Sequence, residues 1–275
     1  MGRRFGRRNK SKVLTFSFCG IGGLDQDAEE TLWNQGVWTW MDYLRLRHSP
    51  FSESRHLQIL KDLDEAERQL RREDFGVSWF FSKLPPAMRC RLLPYIRGRV
   101  LYLDIETTGL NDDDFTTLLT VSDGIDCQTY VRGLNLRDGI DRLLDARYVV
   151  TYNGDAFDLP FLCREFNLNF SPLSFDLRKI LYGWGISRGL KRSMKTLGIK
   201  RKEIPFEELN GVDAVNLWNR YETGGGSALE ILIRYNRDDV YALVDIFQKL
   251  YCRSMKKHLF FKPGVWLQHN IYAWR

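Results

Sequence analysis

The sequence predicts an α/β protein: a mixed sheet flanked by helices, preceded by a small all-α N-terminal module. Three observations predict it. An apolar strand-length segment alternates faces at Leu101, Leu103 and Ile105, further strand-length runs follow between turn signals, and a long stretch near the C-terminus repeats its apolar residues at helical spacing. At 275 residues and 44% hydrophobic content the chain can bury one substantial core plus a small accessory domain.

Residues 1–12 are expected to be a flexible basic arm, carrying Arg3, Arg4, Arg7, Arg8, Lys10 and Lys12. Such an arm could hold a phosphate backbone by counterion release, or simply act as a tag-like or solubilising tail. Residues 1–99 contain 18 Lys/Arg and 12 Asp/Glu, and the other 176 residues contain 23 of each. The positive excess therefore sits outside the predicted core.

Residues 13–96 read as a helical module and connector. Phe16 to Gly23 is followed by a helical stretch through Trp33, then Gly36-Val37 and Thr39 to Leu44. This resembles a helix-hairpin-helix unit, whose Gly-Ile-Gly turn offers backbone amides to a DNA phosphate. Gly23 is extra to that pattern, and Asp25, Asp27, Glu29 and Glu30 lie close to where an anion would dock, so packing alone is the other reading. A charged helix follows over residues 54–72, with Leu57, Leu60 and Leu63 as its docking stripe, and then the aromatic run Phe75 to Phe81 before Leu84-Pro85-Pro86.

The core, residues 97–253, opens on a strand over residues 98–107. Thr116 to Ser122 and Asp126 to Arg132 form a hairpin around Asp123-Gly124, residues 138–145 are helical, Tyr148 to Tyr152 is a strand and Ser171 to Leu177 the last. A meander followed by crossover helices gives a mixed sheet. Residues 254–275 form an aromatic C-terminal extension that could dock on the core or on a partner.

The chemistry is carried by acids. Strand side chains alternate, so Asp104 and Glu106 point together, away from Leu101, Leu103 and Ile105. Two like charges on a mostly buried strand cost several kcal/mol unless a cation neutralises them, and a hard divalent metal is the natural remedy. Downstream, a strand runs through an Asn153-Gly154 turn into a helix on which Asp158 shares a face with Phe161, Leu162 and Glu165, while Asp155 stays in the turn. In the helix over residues 227–251, Ala228, Leu232, Tyr235, Asp239, Leu243, Ile246 and Leu250 fall on one stripe, and Arg234, Asp238, Asp245 and Lys249 on another. Periodicity therefore selects Asp239 over Asp238, with Tyr235 one turn earlier on the same side.

Asp-x-Glu in a strand, Asn-x-x-x-Phe-Asp at a helix start and Tyr-x-x-x-Asp in a late helix resemble, in this order, the three motifs of the DEDD (DnaQ-like) 3′-to-5′ exonucleases. The tyrosine places the resemblance in the DEDDy branch, and the wording YNGDAFDLPFL and YNRDDVYAL is similar to the YprB-like predicted exonucleases of the ribonuclease H-like fold. The resemblance covers about residues 97 to 251. It implies that Asp104, Glu106, Asp158 and Asp239 bind two divalent ions, Mg²⁺ or Mn²⁺, and that Tyr235 orients the attacking water. It implies a substrate of DNA or RNA with a free 3′ end, contacted near Thr107, Thr108 and Leu110. A β-branched pair ending a strand is equally ordinary structure. Asn153 is a further candidate for substrate contact, although it and Gly154 read first as turn formers. Asp176 is expected to support the site. Arg188, Lys191, Arg192, Lys195, Lys200, Arg201 and Lys202 could pair with phosphates or form a solvated helix face, with Lys191, Arg192 and Lys195 the substrate candidates. The same fold gripping nucleic acid or a protein without turnover, or cleaving internally, are the competing readings.

Cys19, Cys90, Cys127, Cys163 and Cys252 are scattered, odd in number and free of C-x-x-C spacing, which predicts reduced thiols rather than a disulfide framework or a zinc site. No apolar run approaches the roughly 18 residues a membrane span needs. A cytoplasmic protein without membrane contact is expected, with a possible protein partner reached through the N-terminal module or the C-terminal extension.

Overall fold

The strand at the centre of the sheet decides the architecture around it. In the computed structural model, which describes residues 14–96, 100–186, 189–203 and 209–258 with side chains to residue 251, β1 spans Val100–Thr107. It pairs antiparallel with β2 (Thr116–Ser122) and parallel with β4 (Tyr148–Thr151). β3 (Cys127–Val131) extends the hairpin side and β5 (Leu173–Asp176) the parallel side, giving the order β3-β2-β1-β4-β5. This is the mixed α/β sheet that the strand and turn signals predict. The register shifts between Glu106 and Thr107, an irregularity that bends the end of β1.

Alternation along β1 splits the core. Leu101, Leu103 and Ile105 join Leu119, Val121, Tyr130 and Val149 on one face, against Leu136, Ile140 and Leu143 of α5 (Leu136–Leu144) and Phe161 and Leu162 of α6 (Asp158–Glu165). On the other face Leu118 and Val131 pack against Ala214, Leu217 and Trp218 of α9 (Gly211–Glu222) and Ala228, Leu232 and Tyr235 of α10 (Gly226–His258). Two shorter helices, α7 (Leu177–Gly183) and α8 (Leu190–Leu197), lie between β5 and α9 in the chain. Every residue of the predicted apolar stripe of α10 is buried. Its second stripe departs from expectation at Asp238, which is 1% exposed because the backbone of Lys202 and Glu203 lies against it. The helix also runs past residue 251, through a Cys-Arg-Ser-Met-Lys-Lys-His sequence that contains neither glycine nor proline.

The described residues divide into two compact units, one within residues 97–249 and the other within residues 1–96 and 250–275. In the second, α1 (Gln26–Asn34), α2 (Trp40–Leu44), α3 (Glu53–Arg71) and α4 (Val77–Lys83) precede a 3₁₀ segment, Pro86–Tyr95. The buried face of α3 is Ile59, Asp62, Leu63 and Ala66, whereas Leu57, expected in the stripe, is 59% exposed. The difference follows from the glycine turn: Gly22 (φ 55°) sits against Ile59 and its N–H donates to Asp62 Oδ2 at 2.8 Å, so α3 rotates its acid inward. The N–H groups of Phe18 and Cys19 are likewise taken by Glu29 Oε2, which also receives Arg91. Of the amides in this glycine turn, those of Phe18, Cys19 and Gly22 are thus bonded to the protein's own carboxylates and those of Gly20 and Ile21 to backbone carbonyls. The predicted arm, residues 1–12, lies outside the described residues. So do Arg188, residues 98–99 of the first strand and the C-terminal extension from residue 259.

Among the described residues no helix is long and apolar enough to cross a membrane, and Cys19, Cys90, Cys127 and Cys163 form no disulfide. Burial and the neighbouring Glu29 push the Cys19 thiol up to about 12.

Glu29 and Arg91 form an ion pair of 2.8 Å with almost no exposure. Glu29→Gln is expected to strand the Arg91 charge and cost about 3–5 kcal/mol of stability in urea unfolding. A loss below about 1 kcal/mol would reduce the pair to the standing of a surface salt bridge.

Candidate metal centre

β1 supplies the first two carboxylates on the face that α10 covers, where Tyr102 two residues earlier meets Phe247 edge-on. Asn236 on α10 reaches back across 132 residues of sequence, its Nδ2 donating to Asp104 Oδ2 at 2.7 Å and to Glu106 Oε1 at 3.4 Å. One carboxylate oxygen from each of Asp104, Glu106 and Asp239 lies within 4.8 Å of the others. Asp238, one residue from Asp239 on the helix, turns away from this group to accept the N–H groups of Lys202 and Glu203 at 2.9 Å each.

Asp158 arrives from the opposite side of β1 because of how the sheet ends. The β1–β4 pairing stops at Tyr102↔Val150, so among the described residues the later part of β1 has no strand on that side. Asp158 Oδ1 accepts the N–H of Ile105 at 3.3 Å, which places the acid at the same end of the strand. The preceding turn is built for this. Asn153 takes φ 68°, its N–H donates to Asp176 Oδ1 and its side-chain oxygen accepts from Arg178, while Gly154 stands where a Cβ would meet Thr151 at 2.4 Å. Asp176 caps α7 at the same time, through the N–H of Arg178.

These acids share one electrostatic problem. Loss of solvent, then Asp158, Asp239 and Glu106 as neighbours, raises Asp104 well above the ordinary carboxylate range. Burial and Asp239 push Glu106 up to about 8, against the Asn236 hydrogen bond. Burial raises Asp158 to about 7 although two backbone N–H groups oppose it, and Asp239 to about 6 although Arg201 opposes it. Tyr235 is raised by its own burial and then by Asp239, Glu106 and Asp104, which keeps its phenol protonated.

The donor set is oxygen only, crowded and anionic, which suits a hard divalent cation. Asn236 Oδ1, on the other arm of the amide that serves Asp104 and Glu106, is buried without a hydrogen-bond partner among the described residues. The residues present therefore fit a divalent metal.

The remaining candidates are placed less centrally. Thr107 Oγ1 donates to Gly109 O, and Thr108 Oγ1 donates to Asp114 Oδ1 while accepting from the N–H of Phe115, so both hydroxyls hold the loop after β1. Leu110, on that loop, is 79% exposed. Lys191 donates to the Leu209 carbonyl and its charge reaches Asp239, whereas Arg192 and Lys195 are exposed on α8. Sequence reasoning singled out neither Asn236 nor Arg201 from their surroundings. An amide inside an otherwise apolar stripe was the available signal for Asn236, and none marked Arg201 among its basic neighbours.

A five-stranded mixed sheet with acids gathered at the end of its central strand defines a ribonuclease H-like centre. A family model described as the RNase H superfamily matches residues 101–251, more than half of the chain, and the chain belongs to that superfamily. No curated protein matches it. Among solved structures it is similar to the family B DNA polymerase from the hyperthermophilic archaeon Pyrobaculum calidifontis, at 22% identity and a TM-score of 0.43, covering 56% of this chain. The match spans 25% of the polymerase chain.

The raised carboxylates set the sign of a pH effect. The folded protein holds protons that the unfolded chain releases, so stability is full below the ordinary carboxylate range and falls as pH rises through about 6, about 7 and about 8. In a chelating buffer the melting temperature should fall across that window, and Glu106→Gln should flatten the curve. A melting temperature that rises through the window would contradict the crowding. Added Mg²⁺ or Mn²⁺ should stabilise most at the alkaline end, where the ligands are ionised.

Proposed function

We propose that this protein is a metal-dependent 3′-to-5′ exonuclease of the DEDDy type, hydrolysing phosphodiester bonds of DNA or RNA. The observation that carries the reading is the approach of the Asp104, Glu106 and Asp239 oxygens to within 4.8 Å, with Asp158 bonded to Ile105 at the same end of the strand. Acids from three separate elements accept a large electrostatic cost together, and a structural role would be served better by neutral residues.

In this reading Asp104, Glu106, Asp158 and Asp239 hold two divalent ions, Mg²⁺ or Mn²⁺. Bound there, the pair supplies activation of the attacking water and charge stabilisation at the leaving 3′ oxygen. Tyr235, protonated and beside three of the acids, donates its O–H to orient the water rather than removing its proton. Asn236 holds Asp104 and Glu106 in their rotamers, and Asp176 with Arg178 holds the turn that delivers Asp158. The exposed Leu110 and the hydroxyl-braced loop before it are the proposed contact for the terminal nucleotide, with Arg192 and Lys195 on the following phosphates.

The test uses a 5′-labelled single strand of DNA and one of RNA, with Mg²⁺ or Mn²⁺. Stepwise shortening from the 3′ end is expected, with at least about a hundredfold loss in Asp104→Ala and Asp158→Ala. Tyr235→Phe should retain the metal and lose about tenfold to a hundredfold in kcat, the worth of one orienting hydrogen bond. Equal activity in the wild type and Asp104→Ala, or cleavage of 3′-blocked strands as fast as free ones, would sink the exonuclease reading.

A further inference from the structure

Arg201 makes the one hydrogen bond from a cationic side chain to the four acids among the described residues, and no metal-ligand pattern explains it. It follows α8, whose C-terminus is closed by Gly198 in the left-handed conformation. Its guanidinium is 6% exposed, donates from Nη2 to Asp239 Oδ1 at 2.7 Å and lies 5.0 Å from the centroid of the Tyr235 ring. Nη1 is 4.0 Å from Asp238 Oδ2, and buried without a hydrogen-bond partner among the described residues.

The backbone that carries it is fixed to α10. Asp238 accepts the N–H groups of Lys202 and Glu203, the Lys202 ammonium pairs with Asp245, and the Glu203 carboxylate pairs with Arg237. Those contacts fix the backbone next to Arg201 through Lys202 and Glu203, and the one hydrogen bond its guanidinium makes among the described residues is to Asp239. A buried arginine with an unused N–H group, mounted on a fixed backbone and set on a carboxylate shared with the proposed metal ligands, has the parts of a competing cation.

We propose that Arg201 competes with a divalent ion for Asp239, so that occupancy of that ligand by metal displaces the guanidinium and frees it for an anionic oxygen of the substrate. The inference rests on the metal reading given above. The two cations compete twice, once for the Asp239 lone pairs and once through mutual repulsion at close range in a site with little solvent. Arg201 therefore lowers metal affinity before substrate arrives. A phosphodiester, whose charge the fork of a guanidinium fits, removes that penalty.

The test is Mn²⁺ binding by the full chain, followed by the electron spin resonance of free Mn²⁺ with no nucleic acid present. Arg201→Gln should bind Mn²⁺ roughly tenfold to a hundredfold more tightly than the wild type at one site, the equivalent of one charge-assisted hydrogen bond. In an Asp239→Asn background the same substitution should change nothing. Equal or weaker binding by Arg201→Gln, or tightening that persists without Asp239, would overturn the proposal while leaving the metal site standing. Absence of Mn²⁺ binding by both proteins would overturn the two together. Should Arg201→Gln not fold, a crystal structure of the wild type with Mn²⁺ decides: the guanidinium must have left Asp239, and a retained 2.7 Å bond beside a bound ion refutes the competition.

Discussion

Like-charge crowding at the end of β1 is the constraint around which the larger unit is organised. Asp104 and Glu106 would repel each other on any strand, and the fold adds Asp158 and Asp239 to them. What keeps the arrangement tolerable in the protein itself is a small set of donors: the Ile105 N–H on Asp158, the Asn236 amide on Asp104 and Glu106, and the Arg201 guanidinium on Asp239. Each comes from a different place in the chain. The sheet order, with β1 in the middle and β4 stopping short beside it, is what leaves room for them.

The sheet was largely legible from the sequence because its signals are local. Alternation gives β1, and the Asp123-Gly124 turn gives the hairpin, which is observed as Thr116–Ser122 and Cys127–Val131. The facing of Asp104, Asp158 and Asp239 follows from strand and helix periods alone. What those periods cannot show is which chain segment covers a face. Asp238 reads as a surface acid by period, yet the 201–203 segment lies over it; Leu57 reads as buried, yet Gly22 draws Ile59 and Asp62 inward instead. Arg201 was one of seven basic residues in a stretch with no period. Only the fold brings it, 38 positions away in sequence, to Asp239.

The smaller unit obeys the same rule with a different outcome. Its glycine turn has amides of the kind that could cradle an anion, and the protein fills three of them, from Phe18, Cys19 and Gly22, with Glu29 and Asp62. Asp62 is answered by Lys83 and Glu29 by Arg91, so the acids there are matched by basic side chains of the same unit. In the larger unit Arg201 is the only arginine bonded to the acidic group among the described residues, and it serves one acid of the four. That imbalance separates a closed structural pair from a centre suited to an added cation.

The separation in sequence between β1 and α10 has a kinetic side. Asp104 and Asn236 are 132 residues apart, so the acids meet only when the last helix docks on a sheet whose strand pairings are shorter in range. Contacts of that span are late to form in folding. Repulsion among the carboxylates then acts mostly on the escape from the native state, so that alkaline conditions hasten unfolding while leaving the rate of refolding nearly untouched.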